Sequence, residues 1–208
     1  MTRTMILLAA GAALSLAGTQ PAGAAGWLER LFGGGDAFEE CRKGAVAGDI
    51  GGPFELVNGK GETVTDKDVI TEPSLVYFGY TFCPDVCPFD AARNADAVDL
   101  LAEQGYSVTP VFISVDPARD TPEAVDDFAA NLHDKMIGLT GSEEQVKAAS
   151  KAYRTYYRAQ EAKDDYYLVD HSTFTYLVLP EHGFVDFFRR DDSAEAMAKR
   201  TACFIDAM

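Results

Sequence analysis

Basic side chains and histidines are scarce in this chain of 208 residues. Lys and Arg number 18 against 33 Asp and Glu, which gives a net charge of −15, and there are three His. Phosphate backbones and anionic lipid surfaces bind clustered basic side chains, and the sequence contains no such cluster. The composition therefore argues against nucleic-acid binding. The acidic surface either attracts cationic partners or serves solubility alone.

The apolar run near the N-terminus is too short to span a bilayer. It extends over 14 residues from Met5 to Gly18, whereas a transmembrane helix needs about 20. Arg3 precedes the run and the small residues Ala22-Gly23-Ala24 follow it, which is the pattern of a secretory signal peptide. We therefore expect residues 1–25 to be a signal peptide, with an uncleaved anchor as the alternative.

Cysteine occurs four times, and one pair lies in the stretch YFGYTFCPDVCP. Cys83 and Cys87 follow an apolar run that ends at Phe78, at a predicted helix start. Helix N-terminal N–H groups lower the pKa of a thiol and favour the reactive thiolate. Four residues of separation would place both sulfurs on one helical face. The pair therefore suits a soft metal ion or an exchangeable disulfide, with a structural disulfide as the remaining alternative.

The second cysteine pair, Cys41 and Cys203, lies near the two ends of the chain. Exported proteins rarely keep thiols free. We therefore expect a structural disulfide that ties an N-terminal extension, residues 26–50, to the last helix. A second redox or metal-relay pair is the alternative.

Residues 51–208 have the pattern of a single α/β domain. The predicted elements are a hairpin over Phe54–Thr65, a strand at Leu75–Tyr80, a helix at Pro88–Gln104, a strand at Val108–Val115, helices that begin at Thr121 and Ser142, a hairpin over Thr175–Phe188 and a helix that begins at Ser193. A βαβ unit followed by a terminal hairpin and helix predicts a thioredoxin-like fold. We expect a central mixed β-sheet flanked by helices, with an N-terminal β-hairpin.

Four separated motifs make the chain resemble the Sco/SenC family of thioredoxin-like, copper-handling proteins. They are YFGYTFCPDVCP at residues 77–88, FISVDPARDT at 112–121, LTG at 139–141 and LVDHSTFTYL at 168–177. The resemblance covers roughly residues 50–190. It implies a copper site formed by Cys83, Cys87 and His171. It also implies a role in assembling the CuA centre of cytochrome c oxidase, with subunit II as partner and other periplasmic copper carriers as further partners.

The donor types support copper independently of the resemblance. Two thiolates and an imidazole form a soft set that suits Cu(I), and one further oxygen or nitrogen ligand would accommodate Cu(II). In a thioredoxin-like fold, the loop before the terminal hairpin faces the helix-start cysteines, and His171 lies in that loop. Asp170 is expected to support His171 through the far ring nitrogen or to bond neighbouring backbone. Thioredoxin-like reductases resemble one another in having a proline there, and residues 170–179 contain none.

Three further sets of residues are expected to support the site. Asp116, Arg119 and Asp120 are expected to form a loop-bracing ion pair, with partner docking as the alternative. Asp85 is expected to cap the helix. An aromatic group is expected to contribute to the core and to the wall of the site: Tyr77, Phe78, Tyr80 and Phe82.

These expectations describe a copper metallochaperone, a binding protein and not an enzyme. The alternative is a thiol–disulfide reductase that keeps the CuA cysteines of the oxidase subunit reduced, with Cys83 attacking and Cys87 resolving, and the two roles are compatible. Metal binding requires both thiols to be reduced, so the site is redox-sensitive in either case. The expected location is the bacterial periplasm, with attachment to the inner membrane if residues 1–25 are retained.

Overall fold

The computed structural model describes residues 38–44, 49–161 and 166–208, and nine strands and five α-helices lie within those ranges. The strands are β1 Glu55–Asn58, β2 Thr63–Thr65, β3 Ser74–Gly79, β4 Thr109–Ser114, β5 Ile137–Thr140, β6 Tyr157–Ala159, β7 Val169–His171, β8 Thr175–Leu179 and β9 Gly183–Phe188. The helices are α1 Asp66–Val69, α2 Val86–Glu103, α3 Pro122–Leu132, α4 Glu143–Ala152 and α5 Ala194–Asp206, and a 3₁₀ turn at Glu39–Cys41 precedes them.

Seven strands form one mixed sheet in the order β2-β1-β5-β4-β3-β8-β9. Strands β3, β4 and β5 are parallel, whereas β1 is antiparallel to β5 and β8 is antiparallel to β3. Every residue of β3 and β4 is buried, as expected of central parallel strands covered on both faces. The predicted fold class is confirmed, including the N-terminal hairpin formed by β1 and β2.

Three helices begin where the sequence predicts them to begin. The side chains of Thr121, Ser142 and Ser193 each accept a hydrogen bond from the backbone N–H three residues later. Such a bond satisfies one of the N–H groups that have no partner within the helix. Pro122 follows Thr121 at the first helical position, where the lack of an N–H costs nothing.

Helix α2 differs from its predicted range, because it begins at Val86 and not at Pro88. Proline is compatible with the first turn of a helix, since the N–H groups there have no intrahelical acceptor. The short elements α1, β5, β6 and β7 are not predicted. Each has three or four residues, which is too few for hydrophobic periodicity to be recognised.

Part of the predicted N-terminal extension packs against the domain. Phe38 and Cys41 are buried in a cluster with residues of α2, β8 and α5, and Arg42 Nε donates to the Val185 carbonyl at 3.2 Å. The predicted signal peptide, residues 1–25, lies outside the described residues. Within the described ranges, none of the helices has the length and apolarity needed to cross a membrane.

Candidate metal centre

The two free thiols lie where the buried strand β3 gives way to α2. Cys83 lies in the turn before the helix, and Cys87 is the second residue of α2. The expectation that both lie on one helical face is therefore wrong, because the helix starts between them. Cys83 Sγ instead accepts the Cys87 backbone N–H at 3.4 Å. The half-buried Cys83 sulfur thus meets the helix N-terminus, and the Cys87 sulfur is fully buried.

His171 reaches the thiols from β7, which pairs with β6 in a separate two-stranded sheet. Its Nε2 lies 3.2 Å from Cys87 Sγ, and its Nδ1 lies 2.9 Å from the Ser172 carbonyl oxygen. Because a carbonyl only accepts hydrogen bonds, this contact assigns the proton to Nδ1. Nε2 is then the ring nitrogen that is available as a ligand, and it faces Cys87 Sγ.

The three predicted donors are brought together. Cys83 Sγ, Cys87 Sγ and a ring nitrogen of His171 all lie within 4.8 Å of one another, and among the described residues this trio is the one such group of His, Cys or carboxylate ligands. Structural zinc sites usually have four protein ligands. A trio of two sulfurs and one imidazole nitrogen fits a soft ion of low coordination number, which is the preference of Cu(I).

The two thiols differ sharply in acidity. The hydrogen bond from Cys87 lowers the pKa of Cys83 to about 4, and the backbone N–H groups of Asp85 and Cys87 act in the same direction against the cost of burial. The same hydrogen bond, together with burial, raises the pKa of Cys87. In the metal-free protein these shifts favour the thiolate at Cys83 and the thiol at Cys87.

A polar contact behind Cys87 was not predicted from the sequence. The buried Tyr77 hydroxyl donates to Asp90 Oδ2 at 3.1 Å, and Asp90 lies 3.5 Å from the Arg93 guanidinium and 3.6 Å from that of Arg190. Burial is the main cause that raises the pKa of Tyr77, so the phenol stays protonated. Asp90 follows Cys87 by three residues on α2, so the two side chains occupy neighbouring positions on the helix surface. A charged residue at this spacing from Cys87 is the sequence signal that points to the contact.

Gly79 provides the space in which Cys87 and Tyr77 approach each other. A Cβ at this position would lie 3.1 Å from Cys87 Sγ and 2.9 Å from both the Tyr77 and Phe112 rings. These distances are shorter than van der Waals contact. The small residue at the end of β3 is therefore required by the packing of the site.

The segment between β4 and α3 supports both halves of the site. Asp120 accepts the Thr81 backbone N–H at 2.9 Å and the Thr81 hydroxyl at 2.6 Å, which holds the turn that leads to Cys83. Arg119 pairs with Asp116 and donates to the Tyr167 carbonyl at 2.9 Å. The predicted brace thus consists of Asp116 and Arg119, while Asp120 binds hydroxyl and amide groups. Burial raises the pKa of Asp120 above its ordinary value despite those bonds.

The structure corrects the predictions for three neighbouring residues, wholly for Asp170 and in part for Asp85 and Phe82. Asp170 does not contact His171 but accepts from Gln160 at 2.7 Å and lies 3.7 Å from Arg158, because successive strand residues point to opposite faces. Asp85 occupies the N-cap position of α2 without a side-chain capping bond. Phe82 is 52% exposed and does not belong to the core.

Cys41 and Cys203 are joined by a disulfide, with a Cα–Cα distance of 5.7 Å. The bond connects the 3₁₀ turn to α5 and borders a cavity of about 640 Å³ that also contacts Leu100 and Gln104 at the C-terminal end of α2. Cys87 lies at the other end of that helix, and 18 residues span about 27 Å. The two cysteine pairs therefore lie near opposite ends of α2.

Comparison with known proteins places these residues in a family context. A sequence model of the SCO1/SenC family matches residues 42–206. Protein SenC of Rhodobacter capsulatus is 58% identical over 175 residues, which are 83% of this chain and 79% of that protein. Protein SCO1 homolog 1, mitochondrial, of Arabidopsis thaliana is 44% identical over 149 residues, which are 71% of this chain and 45% of that protein.

The solved structures agree with the sequence comparisons. The crystal structure of Arabidopsis thaliana ScoI with copper bound is similar to this chain, with a TM-score of 0.72 at 42% sequence identity. The similarity covers 76% of this chain and 99% of that one.

Proposed function

The chain belongs to the SCO1/SenC family, and we propose that it is a copper metallochaperone. It holds copper between the thiolates of Cys83 and Cys87 and the imidazole of His171. The observation that carries the proposal is the convergence of these three donor atoms within 4.8 Å. The copper in the structure of Arabidopsis thaliana ScoI supports copper as the ion. Two sulfur ligands and one nitrogen ligand favour Cu(I), and Cu(II) requires a further oxygen or nitrogen donor.

The recipient of the copper is the CuA domain of cytochrome c oxidase subunit II. Delivery proceeds by ligand exchange: an incoming thiolate binds the ion as one of the chaperone's donors leaves, and copper keeps its oxidation state. The half-buried Cys83 is the donor most open to such an exchange. The chain acts after export to the periplasm, either free or held at the inner membrane by residues 1–25.

Titration of the reduced protein with Cu(I) in competition with a chromogenic chelator tests the binding site. We expect one tightly bound ion in the wild type. His171→Ala removes a direct ligand, and the expected loss of affinity exceeds the roughly 10–100-fold typical of residues that support ligands. His133→Ala is the matched control, because His133 is hydrogen-bonded to Asp99 at 3.2 Å and contacts none of the donors. Equal affinities for wild type and His171→Ala would reject the three-ligand site.

A thiol–disulfide reductase that acts on the CuA cysteines is the second candidate. The observation that favours it is the low pKa of the half-buried Cys83 thiol beside a protonated Cys87. A thiolate attacks a disulfide, and a neighbouring thiol resolves the mixed disulfide. His171→Ala separates the two functions, because reduction of an oxidised CuA domain requires the cysteines alone. Reductase activity that survives without copper delivery supports the second function.

A further inference from the structure

Exposed aromatic side chains occur on the chain segments that carry the donors. Among the described residues, six large hydrophobic side chains are exposed, and four of them lie on segments that carry the three ligands or pair with those segments. Phe82 precedes Cys83, Phe89 follows Cys87 by two residues, and Phe174 follows His171 by three. The fourth, Tyr156, exchanges two hydrogen bonds with Ser172, at 2.9 and 3.0 Å. We call these four residues the aromatic rim.

The aromatic rim is held in place by contacts among the segments that carry it. The Arg93 guanidinium donates to the Arg189 carbonyl at 3.1 Å and lies 3.4 Å from the Thr175 hydroxyl, which links the first turns of α2 to the residue after Phe174. The Phe174 ring packs edge-on against Phe187 at 5.1 Å. The exposed rings therefore extend from ordered segments with buried supports.

The size of the aromatic rim suits a transient protein interface. Its members are 52%, 70%, 55% and 36% exposed in chain order for Phe82, Phe89, Tyr156 and Phe174. At about 200 Å² for a whole aromatic side chain, they present roughly 400 Å² of apolar surface. That is about half of what one partner buries in an interface of standard size. Exposed apolar area of this amount on the segments of one site is typical of an interaction surface.

The charges beside the aromatic rim differ from those of the whole chain. Arg189, Arg190 and Asp191 are exposed next to the Phe174 side of the rim, and Asp85 is exposed between Phe82 and Phe89. The nearby carboxylate of Asp90 is buried between Arg93 and Arg190. The Phe174 side of the rim therefore carries two exposed cations against one exposed carboxylate.

We infer that the aromatic rim is the docking surface for the copper recipient, a folded protein domain with an apolar border around its own metal ligands and carboxylates that face Arg189 and Arg190. The inference rests on the proposed function. Ligand exchange requires donors of both proteins to touch one ion, so the surfaces around the two sites must come into contact. Aromatic side chains are enriched at the centres of such contacts.

Copper transfer to two acceptors tests the inference. The first acceptor is the CuA domain of the oxidase subunit II from the same organism, and the second is a small Cu(I) chelator that needs no docking surface. The double variant Phe89→Ser/Phe174→Ser is compared with Met208→Ser, an equally exposed apolar residue beyond the end of α5. Arg189→Glu is compared with Lys60→Glu in the exposed β1–β2 turn. Binding of each variant to the CuA domain is measured alongside transfer.

We expect the double variant to deliver copper to the CuA domain at least about tenfold more slowly. A tenfold change corresponds to about 1.4 kcal/mol of binding free energy lost with the two rings. Its transfer to the chelator should stay within about twofold of wild type, as should both reactions of the two controls. Arg189→Glu should slow delivery, and added salt should slow delivery by the wild type. Equal delivery by wild type and the double variant would overturn the inference and leave the proposed function intact.

The two proposals fail separately. If the wild type binds the CuA domain through the aromatic rim but transfers no copper, the docking surface stands and the chaperone function falls. If the CuA domain neither binds nor receives copper, both are overturned.

Discussion

Cys87 Sγ lies 3.2 Å from His171 Nε2, although 84 residues separate the two in the chain. The site therefore depends on tertiary structure. The segment between β4 and α3 holds the two parts of the chain that carry its ligands. Asp120 holds the turn before Cys83 through Thr81, and Arg119 holds the segment before His171 through the Tyr167 carbonyl. Copper binding is thus coupled to the packing of these two segments.

Alkylation of the metal-free protein should distinguish Cys83 from Cys87. Because the pKa of Cys83 is lowered to about 4, its thiolate is fully formed from pH 6 to 8, and its rate of reaction with iodoacetamide should be constant over that range. The rate should fall tenfold per pH unit only below pH 4. Buried Cys87, whose pKa is raised, should react far more slowly. Peptide mass mapping after timed quenching provides both rates.

An ordinary thiol gives the opposite pH profile. With an unperturbed pKa near 8.5, the rate would rise about tenfold per pH unit between pH 6 and 7.5. Such a rise for Cys83 would contradict the lowered pKa of its thiol.

Gly79→Ala should weaken copper binding. The added Cβ would lie 3.1 Å from Cys87 Sγ and 2.9 Å from two aromatic rings, so the donor must move or the ring packing must open. Overpacking of this kind costs about 1–3 kcal/mol of folding free energy, and displacement of the sulfur should lower copper affinity by about tenfold. Gly44→Ala is the control, because its Cβ would meet no atom within 4 Å. Unchanged affinity in Gly79→Ala would show that Cys87 has room to relax.

Tyr77→Phe should destabilise the protein through Asp90. The substitution removes the hydroxyl that donates to the buried carboxylate, and a buried acceptor that loses its donor costs about 1–3 kcal/mol. Tyr106→Phe is the matched control, because its hydroxyl bonds Asp206 at the exposed surface and burial contributes little there. Urea unfolding measures the free energy of unfolding of both variants. An equal loss of stability in the two would show that Asp90 is satisfied by its arginine partners alone.

Loss of the Cys41–Cys203 bond should lower stability without affecting copper. The disulfide joins residues 162 positions apart, and removing such a bond typically costs about 2–5 kcal/mol. The double variant Cys41→Ser/Cys203→Ser should therefore unfold at lower urea concentration, with wild-type copper affinity because the bond lies at the far end of α2. Two free thiols in the oxidised wild-type protein, found by non-reducing mass mapping, would refute the bond.

The sequence predicts those parts of the structure that depend on local chemistry. Thr121, Ser142 and Ser193 mark helix starts because a side-chain oxygen satisfies an unpaired N–H nearby. The apolar run before Gly79 marks the central strand because parallel strands are buried on both faces. The position of His171 followed from the geometry of the expected fold and from the family resemblance, because no local pattern reports on a contact across 84 residues.

The parts that sequence reasoning missed depend on long-range contacts. Strand β7 is recognisable only when paired with β6, and three residues of mixed polarity contain no period. Asp170 was expected to support His171, but the alternation of side chains along β7 turns it toward Gln160. Phe82 was expected in the core because its side chain is aromatic. It is exposed because it lies in the turn that leads to Cys83.

X-ray absorption of the Cu(I)-loaded protein tests the central claim most directly, because it counts the ligands of the ion. The structure predicts two sulfur neighbours and one nitrogen neighbour for wild type, and loss of the nitrogen in His171→Ala. A copper shell without nitrogen in the wild type, or one unchanged by His171→Ala, would contradict the site formed by Cys83, Cys87 and His171.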